Sequence, residues 1–176
     1  MAVAKTEDVR KSTGMIRPLD DLDRKILGTL SRDATQSYAS ISREVGLSAP
    51  AVHERVKRLR SSGVIKSTVA QLDGAAVGKP LLGFIHVDTT GWGKTRAMLA
   101  LEDRPEVEEI HGVTGDTCLI IKVRVASPLA LEGLLAQIYD VEGVRGTRTF
   151  VSLSTHLERS VQAEISDDLE SRSIIK

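Results

Sequence analysis

The chain has 176 residues, of which 41% are hydrophobic, and its 24 basic and 24 acidic side chains give a formal net charge of zero. This length and apolar content suit two small domains with hydrophobic cores of their own, and the single cysteine, Cys118, excludes an intramolecular disulfide. No stretch approaches the roughly 18 apolar residues needed to cross a bilayer and no secretion signal is recognisable, so we expect a soluble, cytoplasmic protein without a membrane partner.

The first predicted element is a helix that follows a flexible N-terminal arm, residues 1–17. Asp20 and Asp21 are typical of a helix start, and the apolar residues around and after them recur at helical spacing. These residues are Leu19, Leu22, Ile26, Leu27 and Leu30. We expect this apolar stripe to cover the two helices that come next.

Two short helices joined by a tight turn are predicted between residues 38 and 62. In the first, Ile41 and Val45 lie one turn apart, and Gly46 can take the left-handed conformation that ends a helix. Ser48 is a typical N-cap for the second, and Pro50 sits early, where its missing N–H costs nothing. The apolar positions of the second helix are Val52, Val56 and Leu59. This arrangement predicts a helix-turn-helix.

The remaining surface of the second helix is cationic and suits the phosphates and base edges of double-stranded DNA. The positions expected nearest to a major groove are Ser48, Pro50, Ala51, His53, Glu54, Arg55 and Arg58. The charge distribution along the chain agrees with DNA binding by its N-terminal part. Residues 1–66 carry 13 basic against 8 acidic side chains, whereas residues 67–176 carry 11 against 16. The alternative is a solvated basic face on an ordinary two-helix hairpin.

The stretch from Val64 to Leu72 alternates β-branched with polar residues, which predicts a strand or wing. Residues 18–66 would then form a winged helix-turn-helix domain, and residues 67–80 a linker strand.

The second half of the chain predicts the order βαββαβ, the split βαβ sandwich of ferredoxin-like folds. Its expected elements are strand Leu81–Asp88, a helix around Lys94–Leu101, strands Val107–Val113 and Cys118–Val125, a helix that starts at Ser127 and Pro128, and strand Val144–Leu153. This domain would span residues 81–157 and leave a C-terminal tail, 158–176. We expect an exposed sheet face with Leu82, Phe84, Ile121 and Val123, which self-association would bury.

Several segments, in order across both halves, resemble the Lrp/AsnC, or feast/famine, family of transcription regulators. They are residues 19–27, 45–48, 55–59, 63–65, 105–107, 113–115 and 143–144, within a match of about residues 19–155. The resemblance implies an N-terminal winged helix-turn-helix, a C-terminal effector-sensing and oligomerising domain, homodimers that often assemble to octamers, and an amino acid or related metabolite as effector.

The expected effector site is the turn between the two middle strands, formed by Thr114, Gly115, Asp116, Thr117 and Cys118. Backbone N–H groups at a glycine turn suit the carboxylate of an amino acid, and Asp116 suits its ammonium group. The alternative is an ordinary hairpin turn, for which Gly-Asp is common.

Other chemistry is not indicated. Gly93-Lys94-Thr95 lacks the upstream glycine of a phosphate-binding loop, and the four histidines have no partners at ligand spacing, so we expect no metal site, no cofactor and no catalytic residues. Two alternatives stay open. One is an enzyme like the sirohaem decarboxylases, which resemble Lrp/AsnC proteins but have an arginine pair where this chain has Lys66-Ser67. The other is an architectural DNA-binding protein without an effector.

Overall fold

The computed structural model describes residues 18–90 and 100–165. The chain divides into two compact units. Within the described ranges, the first unit contains residues 18–69 together with 159–165, and the second contains residues 70–158. The helices of both units are too short or too polar to cross a membrane, as far as the described residues go.

Three helices form the first unit: α1 (Asp21–Arg32), α2 (Tyr38–Val45) and α3 (Ala49–Ser61). Each begins at a side chain that accepts a hydrogen bond from the backbone N–H three residues later, and these caps are Asp20, Ser37 and Ser48. Gly46 ends α2 with φ +73°, a conformation that costs glycine little. The three predicted helices are therefore confirmed.

The core of the first unit consists of buried apolar residues from all three helices. They are Ile26, Ile41, Val45, Val52 and Val56. The segment 159–165 also belongs to this unit, where the Arg24 guanidinium donates to the Ala163 carbonyl at 2.8 Å. A Cβ on Gly28 would lie 2.6 Å from Glu164 Oε1, so the glycine makes room for this segment against α1.

The prediction of a strand from Val64 to Leu72 is wrong. No residue of this segment is in a strand, and the side chains of Val69 and Leu72 are 80% and 69% exposed. A strand is stabilised by hydrogen bonds to a neighbouring strand and by burial of alternate side chains, and this segment has neither in the described chain. The first unit is thus a helix-turn-helix in which no wing strand is formed.

Within the described residues, the second unit is a four-stranded antiparallel sheet with one α-helix and a short 3-10 helix. Its elements are β1 (Leu81–Thr89), a 3-10 helix (Ala100–Asp103), β2 (Val107–Gly112), β3 (Leu119–Val125), α4 (Pro128–Tyr139) and β4 (Val144–Val151). The strand order is β2-β3-β1-β4, which agrees with the predicted split βαβ arrangement. Most of the helix predicted around Lys94–Leu101 lies outside the described residues.

The side chains of α4 pack on one face of this sheet. Leu131, Leu134 and Ile138 share a buried core with alternate residues of β1 and β3. Ile121 and Val123 belong to this core with 0% exposure, so their predicted place on the exposed face is wrong. Phe84 pairs with Lys122 and Phe150 in register, and the open face carries these residues instead. A shift of one residue between strands reverses the faces, and the sequence alone does not reveal that register.

Candidate functional site

Helix α3 presents a polar surface whose direction is fixed by its core residues. Val52, Val56 and Leu59 are at most 2% exposed. Because they define the inward side, Pro50, His53, Glu54 and Lys57 are left exposed on the outer side. The Ser48 hydroxyl accepts from the Ala51 N–H at 3.4 Å and so starts the helix. Of the seven positions predicted to face DNA, five are exposed, namely Ser48, Pro50, His53, Glu54 and Arg58, and Ala51 and Arg55 are partly buried.

An aromatic contact joins the beginning of α2 to this surface. The rings of Tyr38 and His53 meet edge to face, with centroids 5.2 Å apart. The contact holds the N-terminal turn of α2 beside the N-terminal half of α3, the two parts of a helix-turn-helix that approach DNA.

The two arginines predicted as DNA contacts are bound to acidic residues at the N-terminus of the first helix. Arg55 Nη1 lies 2.7 Å from an oxygen of Asp20 and 2.7 Å from Asp23 Oδ1. Arg58 Nη2 also bonds to Asp23, at 2.7 and 2.8 Å. The hydrogen bond from Arg55 lowers the pKa of Asp20, and the same bond raises the pKa of Arg55. We call these four residues the acidic clasp.

The acidic clasp was missed in the sequence because its pairs are more than 30 residues apart. One signal was present, since acids three positions apart (Asp20 and Asp23) face bases three positions apart (Arg55 and Arg58). The side chain of Asp23 is 5% exposed, that of Arg55 is 23% exposed and that of Arg58 is 42% exposed. Contact of either arginine with DNA stays a prediction.

A cavity of about 470 Å³ lies in the second unit at the β2–β3 turn. It is lined by the end of β1 (Asp88 and Thr89), by turn residues 115–118, and by the start of β4 (Arg145 and Gly146). We call it the turn pocket. Four of the five predicted effector residues line it, and Thr114 does not.

Hydrogen bonds attach the turn to the neighbouring strand β1. The buried Thr117 hydroxyl donates to the Val87 carbonyl at 3.1 Å, and the Cys118 N–H donates to the same oxygen at 3.2 Å. Asp116 differs, because its side chain is 84% exposed and its carboxylate accepts from Arg148 Nη1 at 3.3 Å, while its backbone carbonyl accepts from Arg148 Nη2 at 3.3 Å. Thr117 thus supports the pocket, whereas Asp116 is accessible to a ligand.

The sequence did not indicate the pocket residues from β1 and β4, because they are distant in the chain from the turn. The antiparallel pairing of β1 with both β3 and β4 brings them together. Within the described ranges, no group of three or more His, Cys, Asp or Glu side chains is arranged to hold a metal ion.

Comparison with known proteins relates both units to one family. Residues 19–60 match the family model of the AsnC-type helix-turn-helix domain, and residues 84–162 match that of the Lrp/AsnC ligand binding domain. The chain belongs to the Lrp/AsnC family. This membership confirms the resemblance noted in the sequence and makes the chain a helix-turn-helix transcription regulator.

Individual relatives are similar in sequence to this chain over most of their length. The HTH-type transcriptional regulator FL11 of Pyrococcus horikoshii is 36% identical over 141 residues, which are 80% of this chain and 93% of the relative. LrpA of Mycobacterium tuberculosis is 36% identical over 142 residues, 80% of this chain and 94% of the relative. The structure of a feast or famine regulatory protein from M. tuberculosis, complexed with L-methionine, has a TM-score of 0.74 at 35% identity and covers 80% and 96% of the two chains.

Proposed function

We propose that this regulator binds specific sites in double-stranded DNA through α3, and that an amino acid or related small metabolite in the turn pocket modulates this binding. The observation that carries the effector part is the cavity of about 470 Å³, since it is lined by four of the turn residues expected to bind an effector and its volume suits a small molecule. The M. tuberculosis relative in complex with L-methionine supports an amino acid as the ligand class.

For the DNA interface we retain Ser48, Pro50, Ala51, His53, Glu54, Arg55 and Arg58, and we add Lys57. Lys57 is exposed and has no ion pair within the described part of the chain, so its charge is available to a phosphate. Of the two clasp arginines, Arg58 is the more exposed and suits a phosphate contact better. Arg55 mainly holds α3 against α1.

Self-association is part of the same proposal. Phe84 is 36% exposed and Phe150 is 57% exposed, and they are paired neighbours on the open sheet face. We propose a homodimer that covers this face and assembles further to an octamer, in a cytoplasmic location where it meets chromosomal DNA. A two-fold dimer would match palindromic half-sites.

The test of DNA recognition is selection of binding sites from a random duplex library with the full-length protein, followed by affinity measurement on the selected duplex. The double variant His53→Ala and Lys57→Ala should bind the selected duplex at least about tenfold more weakly, with its circular dichroism unchanged. Arg43→Ala, on the neighbouring helix α2, is the matched control. A library that yields no enriched sequence would contradict specific recognition.

The test of effector sensing is a thermal-shift screen of the twenty amino acids. A ligand present at about 100 times its dissociation constant stabilises the folded protein by roughly 2.7 kcal/mol. A responsive regulator should show both this shift and a changed affinity for the selected duplex. Absence of both effects with every amino acid would instead favour an architectural role.

We assign the chain no catalytic role. An enzyme like the sirohaem decarboxylases would bind a tetrapyrrole, and the purified protein mixed with sirohaem would then develop a shifted Soret band. We expect no such shift, and its appearance would contradict the assignment.

A further inference from the structure

The turn pocket contains two charged residues that no sequence motif indicates. Asp88 lies near the end of β1, and Arg145 lies near the start of β4. They bring opposite charges to one cavity, which is the arrangement that a zwitterion requires.

Arg145 occupies an irregular position in the sheet. Asp88 is paired with Gly146 and Thr89 is paired with Val144, so Arg145 is the extra residue of a β-bulge. A bulge interrupts the alternation of side chains and turns one of them in a new direction, and bulges are common beside binding sites. The bulge therefore accounts for an arginine at the rim of this cavity.

Arg145 has no ion pair among the described residues, and Asp88 has only a long one. Asp88 Oδ1 is buried without a hydrogen bond, although the Asp88 side chain as a whole is 40% exposed, and its ion pair with Arg148 Nη2 is 4.0 Å long. Arg145 is exposed and forms no ion pair with any other described residue. A buried carboxylate oxygen without a donor is costly, and an ammonium group that donates to the carboxylate would remove this cost.

The remaining lining of the pocket is polar as well. It consists of Thr89, Asp116, Thr117, Cys118 and two glycines, so the described lining includes no aliphatic or aromatic side chain. An apolar effector side chain would find little apolar surface there and would cover Asp116 without replacing its hydration. A side chain with hydrogen-bonding groups avoids this cost.

We propose that Arg145 binds the α-carboxylate of the effector, that Asp88 binds its α-ammonium group, and that the effector is an amino acid with a polar or charged side chain. This inference rests on the proposed amino-acid sensing. It distinguishes this chain from the M. tuberculosis relative, whose complex contains the apolar amino acid L-methionine.

Isothermal titration calorimetry of the full-length protein with the twenty amino acids tests the preference. The tightest ligand should be polar, and it should bind at least about tenfold more tightly than leucine, methionine or phenylalanine. Arg145→Gln and Asp88→Asn should each weaken its binding by about tenfold or more, as expected for loss of a charge-assisted hydrogen bond. Arg104→Gln and Asp140→Asn are matched controls outside the pocket and should bind as the wild type does.

Ligand analogues assign each contact. The carboxamide of the tightest amino acid lacks the carboxylate, so Arg145→Gln should weaken binding of the amino acid but leave binding of the carboxamide nearly unchanged. The N-acetyl derivative should behave in the same way toward Asp88→Asn. A variant that merely damages the fold would weaken the binding of amino acid and analogue alike.

The possible results separate the inference from the function on which it rests. If an apolar amino acid binds most tightly, or if both pocket variants bind as the wild type does, the inference is overturned while amino-acid sensing stands. If no amino acid binds, both are overturned.

Discussion

Arg55 and Arg58 lie one turn apart on α3, but their contacts predict opposite rankings for stability and for DNA binding. Arg55 bonds to both Asp20 and Asp23, and its side chain is 23% exposed. Arg58 bonds to Asp23 alone and is 42% exposed. We expect Arg55→Met to destabilise the first unit more, and Arg58→Met to weaken DNA binding more.

The expected losses of unfolding free energy depend on which hydrogen bonds Asp20 and Asp23 keep in each variant. Charge-assisted hydrogen bonds contribute about 1.5 to 3 kcal/mol when they are shielded from water, whereas exposed ion pairs contribute about 0 to 1 kcal/mol. Removing Arg55 takes one bond from the buried Asp23 and both arginine bonds from Asp20, which keeps its cap bond from the Asp23 N–H, so the free energy of unfolding should fall by about 2 to 3 kcal/mol. Removing Arg58 leaves Arg55 on Asp23, so the loss should be about 1 kcal/mol or less.

The assay for stability is urea unfolding followed by circular dichroism at a helix-sensitive wavelength. Three of the four α-helices within the described ranges belong to the first unit, so this signal reports mainly on it. DNA affinity is measured by fluorescence anisotropy on a selected duplex, where Arg58→Met should cost about 1 to 3 kcal/mol. Lys57→Met is the control for the unfolding assay, since Lys57 is outside the clasp and its replacement should leave the unfolding curve unchanged.

The reasoning fails if Arg58→Met lowers the unfolding free energy as much as Arg55→Met does. It fails equally if Arg55→Met weakens DNA binding more than Arg58→Met does. Both affinities are measured without urea, at a temperature at which each variant is fully folded. The first result would mean that Asp23 depends on Arg58, and the second that Arg55 leaves the clasp when DNA binds.

Four further outcomes are expected. Gly46→Ala should lower the free energy of unfolding by about 1 to 2 kcal/mol in urea titrations, because φ is +73° there, and an unchanged midpoint would contradict this. Since Arg55 lowers the pKa of Asp20, the charged Asp20 stabilises the fold above its unfolded pKa of about 4, and this stabilisation is lost as the pH falls below that value. Asp20→Asn keeps a good helix cap, so it should cost at most about 1 kcal/mol at pH 7 and progressively less as the pH falls toward the lowered pKa of the folded state, as compared by urea titrations over this pH range. Asp116→Asn should weaken effector binding in calorimetry by only about 1 kcal/mol, because the side chain of Asp116 is 84% exposed, and it should leave the DNA affinity measured without effector unchanged. Equal effector affinities of variant and wild type would move the site away from the turn. Replacing both Phe84 and Phe150 with glutamate should shift the mass measured by light scattering toward the monomer, and an unchanged mass would place the dimer contact elsewhere.

The local elements of this fold were predictable because their signals are local. Caps, a glycine stop and helical spacing identify α2 and α3 within about 25 residues of chain, and Ser127 and Pro128 identify the start of α4. The pattern predicts a strand wrongly at Val64–Leu72, where β-branched and polar residues alternate but the segment pairs with no described strand.

Contacts between distant segments were harder to predict than single elements. The sequence predicts the wrong face for Ile121 and Val123 because the faces of a sheet depend on strand register, which the sequence of one strand does not contain. The turn residues of the pocket were found through a glycine turn, but Arg145 depends on a bulge between two strands and had no local signal. The acidic clasp required knowing which face of α3 packs against α1.

The return of residues 159–165 to α1 makes the first unit discontinuous in sequence. The sheet unit is in effect an insertion between the helices and the segment that packs on them, so the two units are joined by two stretches of chain. A fragment that ends at Val69 would lose the partner of Arg24 and the side chain that fills the space beside Gly28. We therefore expect a helical fragment that contains both pieces, joined by a linker that replaces the sheet, to be more stable than one that ends at Val69.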